Sequence, residues 1–193
     1  MRVAIIDYGA GNVQSVKYAL KRLGVEAVVS DDSEVILGAE RVVFPGVGEA
    51  SAAMVNIKSK RLDQVIKELT QPVLGICLGM QLMCASTEEG DTSGLGIFED
   101  KVLKFEPVLK VPQIGWNTIK SVKTELLEGM ENEHMYFVHS YYVPKSGYTI
   151  ATCDYIEEFS AALRKDNFYA CQFHPEKSGQ KGASIIENFL KIA

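Results

Sequence analysis

Val73-Leu74-Gly75-Ile76-Cys77-Leu78-Gly79-Met80-Gln81 is the stretch on which the fold turns. Val73 to Ile76 is a short apolar run, Cys77 closes it, and an apolar helical pattern continues through Leu82 and Met83. The reading is strand, sharp turn, helix, with the thiol at the turn. A side chain placed there stands above the C-terminal edge of a parallel sheet. It also faces the first free N–H groups of the helix, where the dipole favours a thiolate. This is the geometry of a nucleophile elbow with cysteine in place of serine.

A thiolate needs a base, and the base needs something to hold it. The chain has three histidines, His134, His139 and His174. His174 ends an aromatic-rich strand pattern, Phe168-Tyr169-Ala170-Cys171-Gln172-Phe173, and Pro175-Glu176 follows. If that strand runs parallel to the Val73 strand, His174 leaves the sheet at the same edge as Cys77. Glu176 then accepts a hydrogen bond from the ring nitrogen facing away from the thiol, which fixes the tautomer and supports the imidazolium. The other cysteines read as core: Cys84 on the same helix as Cys77, Cys153 and Cys171 in strand-like apolar runs.

Working outward, the first half alternates strand and helix. Arg2 to Asp7, Val25 to Val29 and Arg41 to Phe44 are apolar strands, and Val13 to Leu23 and Leu62 to Leu69 carry helical spacing. Fully apolar strands separated by helices imply a parallel sheet covered on both faces. The stretches Leu95 to Ile119 and Met135 to Ala151 are short runs rich in Val, Ile, Phe and Tyr, broken by Pro and Gly, and predict antiparallel ribbons extending the sheet. Ser160 to Leu163 and Phe168 to Phe173 read as a hairpin, and Gly182 to Ile192 as a closing amphipathic helix. The expected fold is α/β, with a mixed, mainly parallel central sheet flanked by helices and an antiparallel extension. No repeat, low-complexity tract or Pro/Ser-rich linker divides it, so one domain is expected over 1–193.

The composition is 47% hydrophobic and 23% charged, with a formal net charge of −5, which gives no pull toward nucleic acid or anionic membrane. No run approaches the ~18 apolar residues of a spanning helix, and no secretory signal pattern opens the chain. Four cysteines without framework spacing suggest reduced thiols and a cytoplasmic setting.

Weaker motifs flank the elbow. Asp7-Tyr8-Gly9-Ala10-Gly11-Asn12 is a poor dinucleotide fingerprint, because Gln14 stands where a third glycine is needed. It reads better as a turn or one wall of a cleft, with Asn12 as a helix cap. Pro45-Gly46-Val47-Gly48 follows a strand that should neighbour the Cys77 strand. The N–H of Val47 or Gly48, joined by that of Leu78, could face a developing oxyanion, and a plain tight turn is the alternative. Pro112 to Asn117 holds the only tryptophan, Trp116, in a loop-like stretch, either as core or as an interface anchor. His139-Ser140-Tyr141-Tyr142 could grip a polar substrate end or simply pack.

Taken together, Gly75 to Gln81 and His174-Pro175-Glu176 resemble the class I, triad-type glutamine amidotransferases, over essentially the whole chain. Within the class the likeness is nearest the imidazole glycerol phosphate synthase branch. It rests on Ile6 to Asn12, Phe44 to Gly48, Ile114 to Asn117 and Phe137 to Tyr141. A glutaminase of anthranilate or aminodeoxychorismate synthase is the alternative within the class, and a catalytically silent interaction module on a flavodoxin-like sheet the alternative outside it. The resemblance implies a three-layer flavodoxin-like fold, hydrolysis of L-glutamine through a Cys77 thioester, no cofactor and no metal. It implies a heterodimer with a (β/α)8-barrel cyclase that consumes the ammonia. Cys77, His174 and Glu176 resemble the triad, and Val47 and Leu78 the oxyanion donors, with the Val47 N–H swinging inward. Gly48, Gln81, Glu89, Ser140 and Tyr141 resemble the glutamine site, with Glu88 competing with Glu89 for the place near the substrate amino group. Pro112 and Trp116 resemble the surface over the barrel's ammonia entrance. Gln113 stands where many relatives have histidine, which is expected to change an interface contact.

Overall fold

The computed structural model describes residues 1–9 and 12–192. The first half runs β1 (Val3–Ile6), α1 (Val13–Arg22), β2 (Ala27–Ser30), α2 (Ser33–Leu37), β3 (Arg41–Phe44), α3 (Ala50–Ser59), α4 (Leu62–Glu68), β4 (Val73–Ile76) and α5 (Leu78–Met83). There follow β5 (Cys84–Thr87), β6 (Thr92–Ser93), β7 (Phe98–Lys104), β8 (Gln113–Lys120), β9 (His134–His139), β10 (Tyr141–Tyr142), β11 (Thr149–Asp154), β12 (Glu158–Lys165), β13 (Phe168–Cys171) and α6 (Gly179–Lys191).

The main sheet has the order β2-β1-β3-β4-β13-β12-β11-β8-β9. From β2 to β13 every neighbour is parallel, and from β13 to β9 every neighbour is antiparallel. Both β1 and β4 are buried along their whole length, as their unbroken apolar sequences require for strands covered on two faces. One face packs Ile5, Leu20, Phe137, Phe159 and Phe189. The other packs Ile6, Phe44, Ile57, Leu62 and Met83. On α1 the buried residues Val16, Ala19 and Leu20 fall at helical spacing, so one stripe faces the sheet. A smaller sheet, β10-β7-β5-β6, lies beside α5.

The placement of β13 is what matters for chemistry. It pairs in parallel with β4, with Cys171 opposite Ile76, so the residues following both strands leave the sheet at one edge. Cys77 N–H donates to the Cys171 carbonyl at 2.8 Å, which stitches the two exits together. The hairpin that delivers β13 closes with Lys165 paired to Phe168 across Asp166-Asn167.

Three expectations are corrected. Cys84 is not inside the elbow helix: α5 ends at Met83 and Cys84 opens β5. The carbonyls of Leu82, Met83 and Cys84 accept from the N–H groups of Leu95, Ile97 and Gly96, so the loop after β6 competes with helical continuation. Trp116 is not in a loop: it lies within β8, which pairs with β9 from Gln113 to Thr118. The Pro and Gly that suggest a turn are tolerated because Pro112 precedes the strand and Gly115 takes a φ of +132° within it. Gln113 is not a surface residue either. It is 3% exposed and its carboxamide meets His139 Nε2 at 3.1 Å. Of the Asp7–Asn12 loop, Ala10 and Gly11 lie outside the described residues.

Candidate active site

Cys77 sits between β4 and α5 with φ 52° and ψ −106°, a conformation that L residues rarely adopt. The turn is held by close packing. A Cβ on Gly79 would lie 1.9 Å from the Phe44 carbonyl oxygen, so only glycine lets the first turn of α5 press against β3. The thiol is 6% exposed and opens onto a cavity of about 470 Å³, a volume suited to a small metabolite.

His174 and Glu176 are buried beside it. His174 Nδ1 donates to Glu176 Oε1 at 2.7 Å. That places the lone pair of the neutral ring on Nε2, which has no hydrogen-bond partner among the described residues. Burial works against the charged ring, but the Cys77 sulfur and the Glu176 carboxylate outweigh it and raise His174 from 6.5 to about 9. The pair is therefore poised to keep a proton once the thiol gives one up. Glu176 Oε1 also accepts from Asn12 Nδ2 at 2.5 Å. Asn12 stands at the start of α1 but makes no side-chain cap, and its carboxamide braces the carboxylate instead.

The remaining residues expected at the site line the cavity. Val47, Gly48, Leu78, Gln81, Glu89, Pro112, Ser140 and Tyr141 all face it. Gly48 has φ +116°, a left-handed value that suits glycine. Leu78 N–H donates to the Gly46 carbonyl at 3.3 Å, so this donor is occupied by the neighbouring loop. Gln81 Nε2 donates to the Tyr141 carbonyl at 3.1 Å and to Gln172 Oε1 at 2.9 Å. Both its N–H groups are thus used, and only its carbonyl oxygen is left to meet a ligand. Glu89 Oε2 accepts from Ala50 N–H at 2.9 Å, and burial raises its carboxyl. Glu88 instead pairs with Lys101 at 3.1 Å, so of the two only Glu89 lines the cavity. Trp116 lies outside the cavity lining and is 56% exposed on β8, beside Ile114 at 57%. Both project from one face of the strand, and Trp116 meets the Tyr136 ring edge-on at 6.1 Å.

Three residues at the site escape the sequence reading, and His139 enters it only as part of a segment that could grip a substrate or pack. Asn12 is read only as a cap. Gln172, whose Nε2 donates toward Cys77 Sγ at 3.6 Å, looks like an interruption in an apolar strand. Lys177 is exposed at the cavity lining, one residue beyond the Glu176 that draws attention. His139 is buried and pushed down to about 4 by desolvation, so it is neutral. Its Nδ1 donates to the Tyr141 carbonyl at 2.7 Å and shapes the cavity wall. Among the described residues no cluster of three or more His, Cys, Asp or Glu could hold a metal ion.

The family described as glutamine amidotransferase class-I matches residues 4–193. An imidazole glycerol phosphate synthase subunit HisH from Bacteroides fragilis is 60% identical over 196 residues, covering 100% of both chains. The subunit of the same name from Colwellia psychrerythraea is 46% identical over 97% of this chain and 92% of its own, and that from Haemophilus influenzae 44% identical over 99% and 98%. Among solved structures, a glutamine amidotransferase aligns at TM-score 0.77 and 20% identity over 98% of this chain and 97% of its own. PurLQS from Thermotoga maritima aligns at 0.72 and 16% over 98% and 97%. These two likenesses bear on the fold alone.

Proposed function

The chain belongs to the class I glutamine amidotransferases, as a HisH-type glutaminase of imidazole glycerol phosphate synthase, and from that premise we propose which residues carry the hydrolysis and where the ammonia goes. Cys77 is the nucleophile. Its proton passes to His174 Nε2, and the thiolate attacks the carboxamide carbon of L-glutamine. The tetrahedral oxyanion is met by the N–H groups of Leu78 and Val47. His174, held by Glu176, gives its proton to the departing ammonia. It then takes one from the water that hydrolyses the γ-glutamyl thioester to glutamate.

Glutamine lies in the cavity against Gly48, Gln81 and the Ser140-Tyr141 segment, with the Glu89 carboxylate at its amino group. The oxyanion donors require one rearrangement. With Leu78 N–H bonded to the Gly46 carbonyl, the Gly46–Val47 peptide must turn, taking the carbonyl out and bringing the Val47 N–H in. Loss of one such donor raises a barrier by about 2.7–4 kcal/mol. A turn of this peptide is thus a sufficient switch for a partner to operate.

The partner is a (β/α)8-barrel cyclase, bound as a heterodimer against Pro112, Ile114 and Trp116. It uses the ammonia to make imidazole glycerol phosphate in histidine biosynthesis. A cytoplasmic setting suits the four cysteines, which are free thiols, and no helix among the described residues is long and apolar enough to cross a membrane. Residues 1–193 act as one domain, a reading supported by the main sheet that draws strands from both halves.

The observation carrying this reading is a thiol at a strained elbow, open to a cavity and backed by the buried His174–Glu176 pair. The test is Cys77→Ala in complex with the cyclase. Glutamine-dependent product should vanish, while product formed from added ammonium stays at the wild-type rate. Glutamine hydrolysis by the Cys77→Ala protein would refute the assignment.

A further inference from the structure

One group touching the Cys77 sulfur has no part in the chemistry above. Gln172 follows β13, two residues before His174, and is 0% exposed. Its Nε2 donates toward Cys77 Sγ at 3.6 Å. The orientation of its carboxamide is dictated from behind, because Oε1 accepts from Gln81 Nε2 at 2.9 Å while the other N–H of Gln81 goes to the Tyr141 carbonyl at 3.1 Å. Turned over, the carboxamide would set NH2 against NH2 at one end and oxygen against sulfur at the other. The backbone is equally fixed, with Gln172 N–H donating to the Ala161 carbonyl at 2.9 Å. The thiol's own hydrogen points toward the Val138 carbonyl at 3.8 Å. When that hydrogen leaves, the carbonyl faces negative charge and the Gln172 N–H remains to meet it.

We propose that Gln172 is a thiolate-stabilising residue of this enzyme, donating to the Cys77 sulfur in an orientation held by Gln81. The proposal deepens the reading of Cys77 as nucleophile and rests on it. The proton leaves Sγ for His174 Nε2, the sulfur keeps the electron pair, and the Gln172 N–H bond strengthens as charge gathers on the acceptor. Gln172 does not line the cavity that would receive glutamine. It meets the nucleophile directly and reaches a bound substrate only through Gln81, whose Nε2 donates to its Oε1.

The test uses the full chain in complex with the cyclase, and two variants of similar side-chain length. Gln172→Met removes the donor, and Gln172→Glu replaces it with an oxygen. The rate of Cys77 alkylation by iodoacetamide is followed against pH beside steady-state glutaminase kinetics. For Gln172→Met the alkylation profile should move to higher pH by about 1 unit and kcat should fall about tenfold. Gln172→Glu, which keeps an oxygen for Gln81 Nε2, should shift the profile further in the same direction with KM for glutamine unchanged within about twofold. An unmoved profile in Gln172→Met with normal kcat overturns the proposal, as does a rise in KM with kcat unchanged. A Cys77→Ala control that is still alkylated in the same way, or still hydrolyses glutamine, removes the nucleophile itself and overturns both readings.

Discussion

At His174 three influences compete for one proton. Burial disfavours the charged ring, and the Cys77 sulfur and the Glu176 carboxylate restore it, leaving the group at about 9 in place of 6.5. The sign follows directly. A value raised by folding adds stability that is complete below about 6.5 and fades as pH rises through about 9. The proton needed by the departing ammonia is lost over the same range. Glutamine hydrolysis should therefore hold through neutral pH and fall with an apparent pKa near 9. In Glu176→Gln that alkaline limb should move to lower pH, since one of the groups supporting the charge is gone. A kcat/KM profile with its limb unmoved in this variant would contradict the arrangement. At this scale the proposed triad was legible because its members announce themselves locally, a thiol between glycines and a His-Pro-Glu at a strand end. Asn12 and Gln172 were not, because each acts through a contact with residues far along the chain. Gln172 did leave a trace, a lone amide in an otherwise apolar strand.

Among the elements, the β4–α5 elbow needed only its own sequence to be read, since Cys77, Gly75 and Gly79 report the turn within a few positions. Strand β8 did not. The Pro112 before it and the Gly115 within it resemble turn chemistry, and its strand character comes from β9, a segment some twenty residues on that pairs with it from Gln113 to Thr118. Its placement bears on the partner. Ile114 and Trp116 stand exposed side by side on one face at 57% and 56%, a small apolar patch of the kind that marks an interface. Trp116→Ala should lower affinity for the cyclase about thirtyfold and leave the free subunit's stability within about 0.5 kcal/mol. Trp116 is the chain's only tryptophan, so titration with a tryptophan-free cyclase reads its environment directly. Emission that does not change on complex formation would place the interface elsewhere. Gln113, on the same strand, faces inward to His139, and alternation along β8 accounts for the difference.

For the molecule as a whole, the parallel half of the sheet was evident from unbroken apolar strands alternating with helices. The order of the antiparallel half was not, because which ribbon lies next to which depends on long-range pairing that periodicity does not encode. That order brings β13 to β4 and makes one site from two distant segments. The same packing separates the four cysteines by function. Burial raises Cys84 and Cys171 well above the ordinary thiol range, and pushes Cys153 up to about 12, so these three remain inert thiols. Cys77 alone among them opens onto the cavity. The most direct test is to react the complex with a glutamine-mimicking electrophile, then measure the intact mass and map the modified peptide. A single adduct on Cys77, absent from Cys77→Ala and blocked by excess glutamine, is the predicted result. An adduct on Cys84, Cys153 or Cys171 that accounts for lost activity, or full inactivation with Cys77 unmodified, would contradict the account.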